Sequence, residues 1–226
     1  MDGVAWVVAA SATFVASHLL LSHPLRAPLA RGLGEAGFSI LYSVVAVASL
    51  AWVVIGYRAA PLSAPWWPVG DGLWAVVTVV MLLASILLMG SLVRNPALPG
   101  DARVDTARGV FAITRHPMMW SFALWGFCHI AVFPIAKNIA VCCAMIVLAL
   151  VGSALQDRKK AQARPDFWPG WEAKTSYVPF AAVAAGRARL SGFGLHTLLG
   201  GVVVWLAATW AHIPLTGWAA GIWRWL

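Results

Sequence analysis

Of 226 residues, 61% are hydrophobic and 11% are charged, about half the charge of an ordinary soluble domain, which excludes a freely soluble enzyme and points to a membrane protein. A formal net charge of +8 with fourteen tryptophans suits basic loops against lipid headgroups and indoles at the bilayer interface, and it argues against a nucleic-acid partner. Cys128, Cys142 and Cys143 all lie in apolar segments with no CxxC spacing, so they read as small buried residues rather than as a disulfide framework.

The first apolar run, Val4 to Leu21, is preceded by Asp2 rather than by a positive n-region, and its arginines come after it, so it reads as a first membrane span and not as a signal peptide. Its polar positions are Ser11, Thr13, Ser17 and His18. Arg26, Arg31 and Glu35 form a short polar loop before a second span from Phe38 to Tyr57. Ala60 to Gly70 holds Pro61, Pro65, Trp66, Trp67 and Pro68 and reads as an interfacial loop with an aromatic anchor. A third span, Gly72 to Val93, has the length a bilayer requires and stops at Arg94-Asn95-Pro96.

Residues 94 to 116 make the second polar connection, with Arg94, Asp101, Arg103, Asp105, Arg108 and Arg115. Arg115-His116-Pro117 then opens a fourth span, Met118 to Ile135. Proline restrains His116 and is tolerated in a first helical turn, which places the Arg-His pair at a helix start. Pro134, Lys137 and Asn138 form a tight turn into a fifth span, Ile139 to Leu155. The stretch Gln156 to Arg189 is polar, with the run Asp157-Arg158-Lys159-Lys160 as a topology determinant and a turn at Trp168-Pro169-Gly170-Trp171-Glu172. A sixth span, Gly194 to His212, and a Trp-rich tail complete the chain.

Thirteen of the 16 Lys and Arg fall in the first, third and fifth connections, leaving Arg58, Lys137 and Arg224 on the other side. The positive-inside rule then puts those three connections in the cytoplasm and both termini outside. The expected fold is an all-α, polytopic membrane helix bundle of about six transmembrane helices with periplasmic termini, forming one domain over residues 1–226. Membrane lipids are its expected partners; the sequence is silent on oligomeric state.

No Ser-His-Asp pattern, phosphate-cradling glycine loop or intramembrane carboxylate pair is visible, so hydrolysis and phosphoryl transfer have no machinery. What the spans do carry is histidine: His18, His129, His196 and His212, with His23 and His116 at the rim. Neutral imidazoles from two helices can grip a haem inside a bundle. Each of these histidines also has a plain reading, as a hydrogen-bonding group between helices or an interfacial residue.

Several stretches together resemble the NnrU family of integral membrane proteins, which includes the plant and cyanobacterial 15-cis-zeta-carotene isomerases. They are His18 in Phe14-Val-Ala-Ser-His18, Pro24-Leu-Arg26, Leu33-Gly-Glu35, Tyr42-Ser43, Gly56-Tyr57, Thr114-Arg-His-Pro117 with Trp125 and His129, Asp157-Arg-Lys-Lys160, Thr175-Ser176 and Pro179-Phe180. The resemblance implies a b-type haem whose iron is held by His18 and His129. It also implies redox-controlled isomerisation of a carotenoid-like polyene, or an accessory role in denitrification through nitrite and nitric oxide metabolism, in the inner membrane of a bacterium. The isomerases have a cysteine three residues before the second histidine, where this chain has Gly126. Helical rise alone puts His18 about 9 Å and His129 about 18 Å from the cytoplasmic rim, so an iron between them needs an oblique haem or displaced helices.

Arg-His-Pro at the mouth of a helical hairpin, followed by a basic aromatic segment, is also similar to isoprenylcysteine carboxyl methyltransferases and sterol reductases. That likeness implies Arg115 and His116 as catalytic residues facing an S-adenosylmethionine pocket near Tyr177 and Trp171. Those methyltransferases place acidic residues after the hairpin to hold the cofactor, and this chain departs from them there, beginning Gln156-Asp157-Arg158. A non-catalytic membrane partner is the third alternative. The topology has a direct check: a C-terminal reporter that is active only outside the cytoplasm gives a signal, and the same reporter after Lys174 gives none.

Overall fold

A computed structural model describes residues 3–98, 100 and 102–226; Asp2 and Asp101 of the sequence reading lie outside the described residues. Described residues form helices and connecting segments without a strand: α1 (Gly3–Ser22), α2 (Arg26–Ala59), α3 (Asp71–Gly90), α4 (Val110–Ile113), α5 (Pro117–Val132), α6 (Ala136–Ala163), α7 (Trp168–Lys174), α8 (Ala181–Ala184), α9 (Leu195–Thr216) and a 3₁₀ turn at Gly221–Arg224. α1, α2, α3, α6 and α9 are long and apolar enough to cross a membrane. A helix satisfies its own backbone groups, which is what a segment in hydrocarbon requires. The expected all-α polytopic bundle therefore stands, with α5 as its sixth and shorter apolar helix.

The helices pack in the order α2, α1, α6, α5, α3, α9. Side chains such as Ile40 (66% exposed) and Val47 (68%) point outward from α2, as expected of a face toward lipid rather than water. With no gain in apolar burial to drive helix pairing inside a bilayer, close approach depends on small residues. At Gly201 a Cβ would lie 2.8 Å from the Ile86 Cα, so α9 and α3 meet backbone to backbone there. At Gly126 it would lie 3.0 Å from the Cys142 carbonyl oxygen and 2.7 Å from Ile146, so α5 and α6 touch in the same way.

Several boundaries differ from the sequence reading. The first polar loop is helical from Arg26 and is broken at Gly34, whose φ of 73° suits glycine; Glu35 beyond the break pairs with Arg26 at 2.9 Å. The fifth span continues to Ala163, because Gln156 and Lys160 donate to the Ala97 and Leu98 carbonyls at 2.6 and 2.9 Å and secure the extra turns. The Trp168–Glu172 turn is the start of a short helix, α7, with Pro169 in its first turn where a missing N–H costs nothing. Cys143 is exposed, in a groove between α1 and α6, while Cys128 and Cys142 are buried as expected.

α5 matters most for function. Its 16 residues span about 24 Å at the usual rise, less than the roughly 30 Å hydrocarbon core. Pro117 starts it and Pro134 follows its end. Asn138 donates to the His129 and Phe133 carbonyls at 3.0 and 2.7 Å, and Trp67 to the Ala131 carbonyl at 3.0 Å, which satisfies the orphan carbonyls of its last turn. The Trp-rich loop thus anchors α5. Lys137, 7% exposed, does the same for α2, donating to the Tyr57 and Ala60 carbonyls at 3.0 and 2.7 Å.

Gly201→Ala is expected to lower stability by about 1–3 kcal/mol through backbone overpacking, whereas Gly32→Ala, with nothing within 4 Å of the added methyl, leaves it unchanged. Thermal unfolding of the two variants in detergent checks the difference.

Candidate functional site

The site lies where α5 begins. Thr114 leaves the one-turn helix α4 in extended conformation and His116 caps α5 with a φ of −120° and ψ of 56°, an arrangement Pro117 favours by restricting the residue before it. The incoming strand of chain is held by backbone: the Arg115 N–H donates to the Ser176 carbonyl at 2.9 Å, and the Phe180 N–H to the Ile113 carbonyl at 2.7 Å. Thr114 Oγ1 and Trp120 Nε1 both donate to the Tyr177 carbonyl, at 2.8 and 2.9 Å. Residues 176–180 therefore lie across the mouth of α5.

Into this mouth α6 delivers Asp157. Its Oδ1 accepts from His116 Nε2 at 2.6 Å, and its Oδ2 accepts from Arg115 Nε at 2.8 Å and Nη2 at 2.6 Å. Arg115 Nη2 also reaches Glu172 Oε1 at 3.5 Å, and the guanidinium lies 5.8 Å from the centre of the Tyr177 ring. His116 is 2% exposed, walled by Tyr177 and Trp168 with ring centres at 5.9 and 6.5 Å. Tyr177 is fixed in turn, its hydroxyl donating to the Leu150 carbonyl at 2.5 Å and accepting from Ser153 Oγ at 3.2 Å.

Charge this deep stays ionised only when it is paired and hydrogen-bonded, and the Asp157 carboxylate is met by three donors. One atom is left over. The Nε2–H of His116 goes to Asp157, and its Nδ1 is buried with no partner, as is the neighbouring Trp168 Nε1. An imidazole held by a carboxylate at one nitrogen and free at the other is the arrangement of a general base or acid, the carboxylate steadying the positive charge once a proton is taken.

Outside the spans the same end of the bundle is strongly basic, and several of its cations are spent on backbone. Arg164 donates to the Pro96 and Ala102 carbonyls, and Arg187 to those of Glu172, Ala173 and Thr175. Burial, and then the Lys159 cation, hold His23 below the usual histidine range. A hydrogen bond from Arg103 holds the exposed Asp166 carboxyl below its usual range.

The fold thus brings Arg115 and His116 together and supplies Asp157, which the sequence reading left inside a basic run. The missed signal is periodicity: Cys142, Ala149, Ser153 and Asp157 form one buried helical stripe on α6, so the apolar face continues into the polar stretch. Tyr177 is beside His116 as expected. Trp171 instead packs on Phe111 and Phe167, and Trp168 is the indole that faces the histidine.

His18 and His129 are not brought into one site. His18 sits a turn before the end of α1 at the Arg115 end, against Phe14 and Tyr42, whereas His129 sits a turn before the opposite end of α5. α6 packs between those two helices. Each ring keeps a free Nε2, since each Nδ1 donates to the carbonyl four residues back, Phe14 at 2.7 Å and Trp125 at 2.8 Å. Gly126 faces Ile146 and Cys142 too closely for any side chain, so a thiol ligand from that position has no room. Among the described residues no three His, Cys, Asp or Glu side chains gather as a metal site.

A family model described as NnrU protein matches residues 6–220. No curated protein and no solved structure matches the chain.

Removing one partner of a buried ion pair leaves an uncompensated charge, at a cost of about 3–5 kcal/mol. Asp157→Asn is therefore expected to lower the unfolding temperature far more than Glu172→Gln, whose carboxylate lies farther from Arg115, at 3.5 rather than 2.6 Å, and is more exposed. Thermal unfolding of the two proteins in the same detergent measures this.

Proposed function

The chain belongs to the NnrU family, and from that premise we propose that this multi-pass membrane protein is an isomerase of a lipophilic, carotenoid-like polyene, with His116 moving the proton and haem b as its implied cofactor. The proposed setting is the inner membrane of a bacterium, with the Arg115 end in the cytoplasm. The observation that carries the reading is the buried His116, held through Nε2 by Asp157 and partnerless at Nδ1.

In such a step the protonated imidazole gives its Nδ1 proton to one carbon of the cis double bond, the bond turns while it is single, and Nδ1 takes the same proton back as the double bond re-forms, while Asp157 keeps the ring oriented and Arg115 keeps Asp157 ionised. Tyr177 and Trp168 exclude water from the exchange. Bound haem would supply one-electron redox chemistry at its iron. His18 and His129 each present the free nitrogen that haem requires, but with one at each end of the bundle they do not fit as two ligands of one iron, and no step is assigned to that pair. The family's other association, an accessory role in nitrite and nitric oxide metabolism, is proposed on membership alone.

One observation favours a second reading, a membrane methyltransferase with an S-adenosylmethionine pocket at the same rim: a buried carboxylate, Asp157, stands after the hairpin. Its carboxylate is already engaged by Arg115 and His116, which leaves the isomerase as the better account.

The purified protein, supplied with haemin and reductant, is expected to convert a 15-cis polyene to its all-trans form, followed by chromatography of the isomers. His116→Asn should slow this by about a hundredfold or more, the usual worth of a general base. No conversion by the wild-type protein would sink the isomerase, and a heat of S-adenosylmethionine binding that is lost in Arg115→Ala would install the methyltransferase.

A further inference from the structure

Two hydroxyls, those of Ser11 and Thr78, are buried without a partner. Thr78 lies on α3, whereas Ser11, 4% exposed, lines a groove of about 560 Å³ that runs between α1 and α6 and opens toward lipid. Other serines of the long helices spend their hydroxyls on a carbonyl three or four residues back, Ser17, Ser49, Ser85 and Ser153 at 2.7–3.0 Å. Ser11 does not.

The rest of the groove is short side chains. Ala12 and Ala16 on α1 and Ala140 and Ala144 on α6 stand four residues apart on each helix, with the exposed Cys143 among them. The lipid-facing sides of other helices carry bulk instead, as with Val44, Val47 and Ile55 on α2 or Val76 and Val79 on α3. Inside a bilayer, small residues at this spacing let one helix approach another closely, and serine hydroxyls bond across such seams. A lipid chain needs no close approach. Its ester oxygens also stay near the edge of a hydrocarbon core roughly 30 Å thick, whereas Ser11 lies eight residues beyond Gly3, about 12 Å down α1. The groove is therefore the seat of a helix.

We propose that this helix is α1 of a second copy of the chain, each α1 lying against the α1–α6 groove of the other copy. All copies cross the bilayer in one direction, so a pair is related by a twofold axis along the membrane normal and each residue meets its counterpart at equal depth. That symmetry suits the groups present. A hydroxyl both donates and accepts, so two Ser11 side chains turned into the shared seam complete one another. No charged side chain lines the groove, so nothing repels the second copy. On the exposed face of α1 the small Ala12 and Ala16 lie between the larger Val8 and Leu20, which brings the two helices closest at that centre, as α3 and α9 meet at Gly201. The pairing is independent of the chemistry at His116.

The test is oxidative crosslinking of the full-length protein in liposomes, with Ala12→Cys as the reporter in a Cys143→Ala background; Cys128 and Cys142 are buried and stay silent. A disulfide-linked dimer that persists on dilution with lipid is expected, and Val47→Cys on the outward face of α2, in the same background, should give none. Adding Ala16→Leu, which overfills the seam, should cut the linked fraction about tenfold or more. Adding Ser11→Ala, which removes only the hydroxyl, should cut it about threefold, the worth of one interhelical hydrogen bond, and reads the interface even if the leucine variant does not fold. A reporter that is labelled by maleimide but never links would overturn the pairing and leave the groove to a lipid chain. A dimer that forms equally well from Val47→Cys, or that vanishes on dilution as chance collisions do, would overturn it too.

Discussion

The carboxylate of Asp157 is the constraint on which the rest of this structure depends. It accepts from Arg115 and His116 in surroundings where an unpaired charge would cost several kcal/mol, and it thereby ties the first turn of α5 to the last turns of α6. Everything above it is arranged to keep that contact dry. Residues 176–180 cross the mouth of α5 by backbone hydrogen bonds, Tyr177 locks onto α6 through Leu150 and Ser153, and Trp168 closes the far wall. One set of residues both stabilises the hairpin and leaves a single imidazole nitrogen without a partner.

The shortness of α5 follows from the same design. Pro117 starts it at the ion pair and Pro134 follows its end, where Trp67 and Asn138 cap its carbonyls, so its two termini lie at depths the longer α6 still covers. Each terminus carries histidine chemistry, His116 at one and His129 at the other. They differ in kind. His116 is coupled to a carboxylate and suited to a proton, whereas His129 lies beside another imidazole, His212.

Much of the fold was readable because lipid allows few solutions. Runs such as Val4 to Leu21 and Gly72 to Val93 could only be helices. The proline-rich Ala60 to Gly70 could only be a loop, though its role in capping α5 was not visible. Of the site, Arg115 and His116 were legible from their place before Pro117. Asp157 was not, since it stands next to Arg158-Lys159-Lys160 and local charge suggested a solvated face; only the helical continuation of the stripe through Cys142 and Ser153 marks it as buried. His18 and His129 fall in helices, His129 a turn from the end of α5 rather than mid-span, and nothing local says which helices touch.

The sequence by itself determined the helical class, the approximate spans and the identity of the ionisable groups, because hydropathy and proline act within a few residues and a bilayer forces every backbone group to be satisfied internally. Only the tertiary structure decided the partners. Arg115 meets an aspartate 42 residues away, and His129 meets His212 rather than His18, because the packing order α2, α1, α6, α5, α3, α9 sets which faces oppose. That order is fixed by close approaches such as Gly126 on α6 and Gly201 on α3, which are properties of two surfaces together and not of either segment alone.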